Sequence, residues 1–351
     1  METEIKKITS VQDAGETLNK AGKLLRAGEL VAFPTETVYG LGANGLDSTA
    51  CQKIYQAKGR PSDNPLILHV DSFSMIERIV RRVSPLAEKI MTAFCPGPIT
   101  LIMERKEIIP DNITGGLATV GIRMPENDIA RAMIKAAGVP IAAPSANISG
   151  RPSPTTAAAV AHDMQGKIPL ILDGGACSFG VESTIVDTTG EIATILRPGA
   201  ITREMLAELL GSENVALDPA LVGKDSVPKA PGMKYKHYAP RAPLTLIVGE
   251  PAKMLNAFNR EIKKLTESGH KVGIIASTET INALPLAPEQ KISYGSRGDL
   301  KTIAANLYEA LRAFDDSDVD ILLGEGTTAT GLGLAIMNRL NKASGFNHIT
   351  V

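Results

Sequence analysis

The chain has 351 residues, enough for two domains, and its 44% hydrophobic share is typical of an ordinary globular protein. The formal net charge of -1 argues against broad nonspecific binding to nucleic acid, and the sparse aromatic residues weaken a base-stacking function. The three cysteines are too few and too widely spaced for a disulfide framework or a cysteine metal site. METEIKKITS lacks the apolar core of a signal peptide and no run suits a bilayer, so we expect a cytoplasmic protein.

Hydrophobic runs and turn signals predict an α/β domain over residues 1–211. The runs that predict strands are GELVAF, PLILHV, ITLIMER, TVGIRM, VPIAAP, PLILDGG, ESTIVDTTG and IATILRPG. The runs that predict helices are DSTACQKIYQAK, NDIARAMIKAAG, PTTAAAVAHDM, ITREMLAELLG and, with a break near Pro85, SMIERIVRRVSPLAEKIMTAF. Because several strands follow one another without a helix between them, we expect a twisted mixed sheet.

Residues 212–243 lose this periodicity and are rich in Pro, Gly and Lys, which predicts a linker or a functional loop. The basic, aromatic part, PKAPGMKYKHYAPRAP, has no acidic residue and suits a lid over an anionic ligand. A solvated linker is the alternative. Residues 244–351 alternate strands such as LTLIVG with helices such as NAFNREIKKLTESG, which predicts a small parallel, Rossmann-like sheet.

Two pairs of polar residues come directly after apolar segments. Lys58 and Arg60 close the run KIYQAKGR, and Ser145 and Asn147 close VPIAAPSAN. If the backbone is extended there, residues two apart face the same side and offer converging donors. With Gly59 as a helix C-cap, the cationic pair would lie in a loop and clamp an anion, most often phosphate. The alternative is a solvated pair of cations at a helix C-terminus.

The run PTETVYG brings several polar side chains to the end of the first buried strand. Its hydroxyls and its carboxylate, Glu36, suit the floor of a pocket for a small zwitterion, whereas turn capping is the alternative. His69 ends the strand PLILHV, and by itself it is more typical of a core histidine.

Two arginines lie inside apolar runs, Arg123 in TVGIRM and Arg197 in TILRPG. A buried arginine needs an anionic partner, and the carboxylate of a ligand would serve. Ser183 and Thr184 supply further hydroxyls after the glycine-rich turn DGGACSFG.

Gly40, Gly42 and Gly45 match the pattern G-x-G-x-x-G, but PTETVY separates them from the strand that a dinucleotide site requires. We therefore favour a tight turn and close backbone packing at these glycines. The sequence has no P-loop motif, no H-E-x-x-H, no C-x-x-C and no G-x-S-x-G. The absence of these motifs argues against a P-loop nucleotide site, a zinc enzyme and a serine hydrolase.

In their order and spacing, PTETVYGLG, KGRP with DNPLILHV, GIRMPE, APSAN, GVESTIVD and LRPG resemble the YrdC-type threonylcarbamoyl-AMP synthases. PGMKYKHYAPRAPL and GLGLAIMNRLNKAS resemble the long form of that family, which has an extra Rossmann-like C-terminal domain. The resemblance implies a nucleotidyltransferase that makes L-threonylcarbamoyl-adenylate and pyrophosphate from L-threonine, bicarbonate (or CO2) and ATP with Mg²⁺. A separate transferase then forms threonylcarbamoyladenosine in tRNA.

The resemblance also implies functions for individual residues. The residues implied to be catalytic, through the ATP phosphates, are Lys58, Arg60, Ser145 and Asn147. The further residues implied to bind ATP are Asn64, Thr119, Arg197, Tyr235 and His237. The residues implied to bind threonine are Thr35, His69, Arg123, Ser183 and Thr184. No protein ligand of a metal ion is assigned.

Two other functions remain open from the sequence. A non-catalytic protein of the same fold would bind RNA tightly and salt-sensitively without turning over ATP, although the near-neutral charge argues against it. A carbamoyl-transfer module of the kind that builds metal-cyanide cofactors would carry zinc-finger segments, for which three cysteines are too few. The synthase function needs no membrane and does not require direct contact with tRNA.

Overall fold

The computed structural model describes residues 1–221 and 237–351. Contacts within the chain divide these residues into two units. The first unit holds 1–149, 153–178 and 182–221, and the second holds 237–351 with the short segments Gly150–Pro152 and Phe179–Val181. Among the described residues, no helix combines the length and the apolar character that crossing a membrane requires.

The first unit is built on one mixed sheet. In chain order, its described strands are β1 (Glu4–Lys7), β2 (Val31–Phe33), β3 (Gly40–Asn44), β4 (Ile67–His69), β5 (Ile99–Glu104), β6 (Thr119–Arg123), β7 (Ile141–Ala142), β8 (Leu170–Asp173), β9 (Thr184–Asp187), β10 (Ala193–Arg197) and β11 (Val215–Leu217). Their spatial order is β1-β8-β2-β3-β7-β4-β6-β5-β9-β10-β11. Strand β6 pairs parallel with β4 and antiparallel with β5, so the predicted mixed sheet is confirmed.

Helices connect many of these strands. In chain order they are α1 (Gly15–Arg26), α2 (Ser48–Lys58), α3 (Phe73–Ile79), α4 (Pro85–Phe94), α5 (Asp111–Thr114), α6 (Asp128–Ala137), α7 (Ala157–Met164) and α8 (Arg203–Leu210). Side chains that accept from backbone N–H groups cap the N-termini of five of them, namely Asp47, Ser84, Asn127, Thr156 and Thr202. The break predicted near Pro85 is confirmed, because Pro85 is the first residue of α4.

Helix α1 packs closely against α6. A Cβ atom on Gly22 would lie 2.6 Å from the carbonyl carbon of Ala136, so only glycine permits this approach. Arg26 donates to the carbonyl oxygens of Ala136 and Ala137, which are left without a helical partner at the end of α6. The two helices therefore pack as a pair, and their apolar sides join the main core.

The three glycines of the G-x-G-x-x-G pattern serve close packing, as predicted, but the tight turn expected at Gly40 and Gly42 is wrong, because both form part of a strand. Gly40 and Gly42 lie within β3, and Gly45 follows it. A Cβ atom on Gly40 would lie 2.8 Å from the ring of Phe33, and one on Gly45 would lie 2.5 Å from Leu68. Strand β3 has antiparallel partners on both sides, β2 and β7, so these glycines do not open a phosphate loop.

The second unit has its own sheet and its own apolar core. Its strands are β12 (Leu244–Val248), β13 (Val272–Ala276), β14 (Lys291–Ser293), β15 (Ile321–Glu325) and β16 (His348–Thr350), in the order β14-β13-β15-β12-β16. Its helices are α9 (Pro251–Glu267), α10 (Thr278–Ala283), α11 (Leu300–Arg312) and α12 (Leu332–Ala343). Each strand pair in this sheet is parallel, which confirms the predicted Rossmann-like arrangement.

Several elements have no counterpart in the sequence-based prediction: β1, α1, β3, α5, β11, α10, α12 and β16. Strand β11 lies inside the stretch expected to be irregular, and it pairs in parallel with β10 at the edge of the first sheet. A strand of three residues is too short to show a periodic pattern in the sequence. Its stability comes from pairing with a neighbouring strand. Residues 222–236 of the predicted linker, with Tyr235, lie outside the described residues.

Candidate active site

The Lys58–Arg60 segment is not extended, contrary to the prediction. Lys58 is the last residue of α2, and Gly59 follows in the left-handed conformation with φ 61° and ψ 38°. The N–H groups of Gly59 and Arg60 donate to the carbonyl oxygens of Gln56 and Tyr55. This is the hydrogen-bond pattern of a glycine-terminated helix, and it turns the chain sharply between the two cations. The two side chains therefore point to different partners.

Lys58 reaches across to the loop that follows β7. Its side chain is buried, and its ammonium group donates to the carbonyl oxygens of Ser145 and Asn147. The amide oxygen Oδ1 of Asn147 lies 3.4 Å from the same nitrogen. The Ser145 hydroxyl donates to that Oδ1 at 2.5 Å. One lysine thus joins both sequence motifs, and the predicted convergence of Ser145 and Asn147 is observed.

Arg60 lies on the segment that leads into β4. Its guanidinium group donates to the carbonyl oxygens of Asn64 and Pro65 at 3.3 and 3.1 Å. Asn64, implied by resemblance to bind ATP, therefore contacts Arg60 through its backbone carbonyl. Thr119, also implied to bind ATP, is the first residue of β6.

A second group of polar residues follows the other end of these strands. His69 pairs with Arg123 across the parallel β4 and β6. Across the antiparallel pair, Leu101 of β5 faces Ile122, so Thr100 lies opposite Arg123. Thr100 is paired in turn with Ile185 of β9, directly after Thr184. Sheet register alone therefore assembles His69, Arg123 and Thr100 in one row, and Thr184 lies one residue away from that row on β9.

Arg123 already has a carboxylate partner from the protein. Its Nη2 donates to Oε1 of Glu36 at 2.7 Å and lies 3.4 Å from the hydroxyl of Thr35. The sequence suggested a ligand carboxylate as the anionic partner, and Glu36 takes that position here. Both residues are buried, so this is an ion pair removed from solvent. The Thr35 hydroxyl also donates to the carbonyl oxygen of Val38 and so fixes the PTETVYG turn.

His69 is held in its neutral form. Burial, and then the charge of Arg123, lower the pKa of His69 to about 3. Its Nδ1 lies 3.3 Å from the carbonyl oxygen of Ile67, and its ring packs edge-on against Phe33 at 5.8 Å between centroids. A neutral imidazole can position a polar ligand without repelling Arg123.

Ser183 and Arg197 form a third cluster beside this row. The Ser183 hydroxyl and the Thr100 hydroxyl lie 2.7 Å apart. Arg197 donates through Nε and Nη2 to the carbonyl oxygen of Ser183, and through Nη2 to its hydroxyl. The Thr184 hydroxyl donates to the carbonyl oxygen of Ile201. Arg197, implied to bind ATP, and Ser183, implied to bind threonine, are therefore neighbours.

Sequence reasoning missed two supporting residues. Thr100 is buried beside Ser183, but a threonine in an apolar strand gives no distinct signal. Asp163 of α7 is also buried, and its carboxylate accepts from the backbone N–H of Ile148, directly after Asn147. A single charge in the helical run AAAVAHDM is a weak signal, because most such charges face solvent. Asp163 thus holds the loop that carries Asn147.

His237 belongs to the second unit, and its ring lies 5.5 Å from that of Tyr238. Tyr238 in turn stacks on Tyr308 at 5.3 Å and has a left-handed φ of 63°. The proposed ATP contacts of Tyr235 and His237 stay predictions, since Tyr235 lies outside the described residues.

Comparison with known proteins identifies the family. The sequence profile described as "Telomere recombination" matches residues 23–199, and that described as "Threonylcarbamoyl-AMP synthase, C-terminal domain" matches residues 201–345. A threonylcarbamoyl-AMP synthase from Pyrococcus abyssi is 47% identical over 333 residues, covering 94% of this chain and 95% of the relative. The chain belongs to the threonylcarbamoyl-AMP synthase family. The Bacillus subtilis synthase is 46% identical and covers 93% of this chain, with 92% of the relative matched.

Solved structures agree with this membership. The crystal structure of P. abyssi Sua5 complexed with L-threonine has a TM-score of 0.93 and 44% identity, and it covers 99% of this chain and 100% of that chain. The structure of E. coli YciO, at 23% identity and a TM-score of 0.51, shares the fold over 56% of this chain. The predicted family, its two-part fold and its class, an enzyme of the nucleotidyltransferase type, are confirmed.

Proposed function

We propose that the chain makes L-threonylcarbamoyl-adenylate and pyrophosphate from L-threonine, bicarbonate (or CO2) and ATP. This would be the first step of threonylcarbamoyladenosine formation in tRNA. The observation that carries the proposal is the Lys58 ammonium group bound to both Ser145 and Asn147 in a member of this family. The L-threonine complex of the P. abyssi relative supports the amino acid substrate.

The chemistry requires positive charge in a site that excludes water. The threonine amine is carboxylated, and the carbamate oxygen then attacks the α-phosphorus of ATP. Both reactants are anions, so Lys58, Arg60 and Arg197 would offset their repulsion and stabilise the pyrophosphate that leaves. A carbamate and a mixed anhydride both decompose in water, which favours a closed site.

No side chain needs to act as a nucleophile in this scheme. Holding two substrates in an orientation suited to attack supplies several kcal/mol of the barrier, on the order of 7–11 kcal/mol in well-oriented systems. The rigid row of His69, Arg123 and Thr100 across three neighbouring strands suits that task. Positions at the ends of paired strands are held more precisely than positions in free loops.

Mg²⁺ enters the proposal as part of the ATP substrate. Among the described residues, no group of three His, Cys, Asp or Glu side chains is placed to hold a metal ion. Mg²⁺ keeps several waters and is commonly bound through substrate phosphates. We therefore assign it no protein ligand.

The product implies a partner. A mixed anhydride that hydrolyses readily must pass to a tRNA threonylcarbamoyl transferase, while direct binding of tRNA by this chain is not required. The cytoplasmic location expected from the sequence stays a prediction. Serine differs from threonine by one methyl group, worth about 1–3 kcal/mol, so preference rather than absolute rejection is expected.

The test is an assay of pyrophosphate and adenylate products with ATP, bicarbonate and Mg²⁺, with and without L-threonine. Threonine-dependent pyrophosphate release with a short-lived threonylcarbamoyl-adenylate is the expected result, and Arg60→Ala should abolish it. Salt-sensitive RNA binding without ATP turnover would instead support the non-catalytic alternative.

A further inference from the structure

The Glu36–Arg123 pair leaves two buried polar atoms unsatisfied. Glu36 is 6% exposed and Arg123 is 5% exposed. One carboxylate oxygen of Glu36, Oε1, accepts from Arg123. Among the described residues, the other oxygen, Oε2, and the Nε of Arg123 have no hydrogen-bond partner. A buried charged oxygen without a donor is costly, so a ligand that donates a hydrogen bond to Oε2 would offset that cost.

Among the described residues, neither His69 nor Cys95 offers a cation to Oε2 of Glu36. Burial and the charge of Arg123 keep His69 neutral by lowering its pKa to about 3. Burial raises the pKa of the Cys95 thiol to about 12, while the charge of Arg123 lowers this pKa and the charge of Glu36 raises it. Thr35 is uncharged and bonds within its own turn. Of the residues named here, Arg123 is therefore the charged donor to Glu36, and its hydrogen bond goes to Oε1 and not to Oε2.

The chemistry of an amino acid explains the arrangement. An amino acid presents a carboxylate, which needs donors, and an amino group, which needs acceptors. The residues implied to bind threonine are all neutral or cationic: Thr35, His69, Arg123, Ser183 and Thr184. That set can hold the carboxylate and the hydroxyl group, but it contains no anion for the amino group. Glu36, directly after Thr35, supplies the missing acceptor.

We propose that Glu36 binds the α-amino group of the amino acid substrate through Oε2, while Oε1 keeps Arg123 aligned. This inference rests on the proposed function and assigns the recognition of the amine at the same site. The amine is the atom to be carboxylated, so Glu36 would set its orientation before the reaction. Amine recognition thus follows from one carboxylate whose two oxygens have separate tasks.

The test compares two ligands that differ only in the amine. L-Threonine is measured by calorimetry without ATP, and (R)-3-hydroxybutanoate, which lacks the amino group, by its displacement of L-threonine. Glu36→Gln retains the volume and the oxygen that accepts from Arg123, but it presents an NH2 donor where Oε2 was. We expect the preference for L-threonine over (R)-3-hydroxybutanoate to fall about 10- to 100-fold in this variant.

The matched control is Glu325→Gln in the second unit. Glu325 is also buried and pairs with an arginine, Arg297, whose Nε lies 2.9 Å from Oε1. The Glu325→Gln variant should keep the wild-type preference for L-threonine over (R)-3-hydroxybutanoate. Glu36→Asp keeps the charge but shortens the side chain, and should lower the preference about 10-fold. Thermal melting checks that each variant is folded. If Glu36→Gln does not fold, Glu36→Asp provides the test.

The outcomes separate this inference from the proposed function. If the folded Glu36 variants keep the wild-type preference, or weaken both ligands equally, the amine assignment is wrong. A wild-type protein that neither binds L-threonine nor uses it in turnover would instead overturn the proposed function. Wild-type binding and turnover, with selective loss in the Glu36 variants, supports both.

Discussion

At the scale of single residues, Lys58 has a structural task besides the one implied by resemblance. Its ammonium group donates hydrogen bonds to the carbonyl oxygens of Ser145 and Asn147, which would lose this donor if Lys58 were replaced. Burial of a lysine is uncommon unless its charge is paired or fully hydrogen-bonded. The same contacts hold the Ser145–Asn147 loop against the end of α2.

Lys58→Ala should therefore lower the free energy of unfolding as well as activity. Loss of a charged donor to buried oxygens costs about 1–3 kcal/mol. The control is Lys53→Ala on the same helix, which removes a half-exposed pair with Glu29 and should cost about 0–1 kcal/mol. Chemical unfolding of both variants measures the difference. Equal stabilities would show that the Lys58 contacts do not hold this loop.

His69 gives the fold a pH dependence whose sign is fixed. Its pKa falls from 6.5 to about 3 on folding, so only the unfolded chain takes up this proton between those values. The contribution of His69 to the free energy of unfolding is fully present above pH 6.5, its pKa in the unfolded chain. This contribution is lost as the pH falls toward 3. Between neutral pH and about pH 5 the loss is about 2 kcal/mol.

His69→Asn should remove this contribution. Urea unfolding at about pH 7.5 and about pH 5 measures it, and the wild-type chain should lose more stability than the variant on acidification. His348→Asn, a change at an exposed histidine, is the control. The same acid sensitivity in wild type and His69→Asn would contradict the neutral, buried state of His69.

At the scale of elements, the end of α2 depends on one backbone conformation. Gly59 has a positive φ, and a Cβ atom there would meet nothing within 4 Å. The sequence indicated this C-cap correctly, but the extended geometry expected for Lys58 and Arg60 was wrong. The left-handed residue reverses the chain, so two residues that are two apart no longer face the same side.

Gly59→Ala should destabilise the fold through strain alone. The left-handed conformation costs a residue with a Cβ about 1–2 kcal/mol. Gly15→Ala is the matched control, because its Cβ also meets nothing within 4 Å and its φ is not positive. It lies at the start of α1 and should be neutral or stabilising. Thermal melting compares the two, and equal melting temperatures would contradict the strain argument.

At the scale of the whole molecule, each unit has its own sheet and core. A chain of residues 1–221 should therefore fold cooperatively without the second unit. A chain of residues 1–211 lacks β11 and the buried Val215, and should be less stable by about 1–3 kcal/mol. Circular dichroism melts of both chains provide the measurement. A shorter chain that melts like the longer one would show that β11 adds no stability.

The sequence by itself determined the α/β class, most strands and helices, and the motifs that mark the site. Periodicity and the residues that begin or end helices are local, so the C-cap Gly59 and the break at Pro85 followed from the sequence. The tertiary structure decided which buried charges meet. Arg123 pairs with Glu36, 87 residues away in the chain, and Lys58 donates to the carbonyl oxygen of Asn147, 89 residues away. Such pairings depend on strand order and register, which bring distant segments together and leave no local pattern in the sequence.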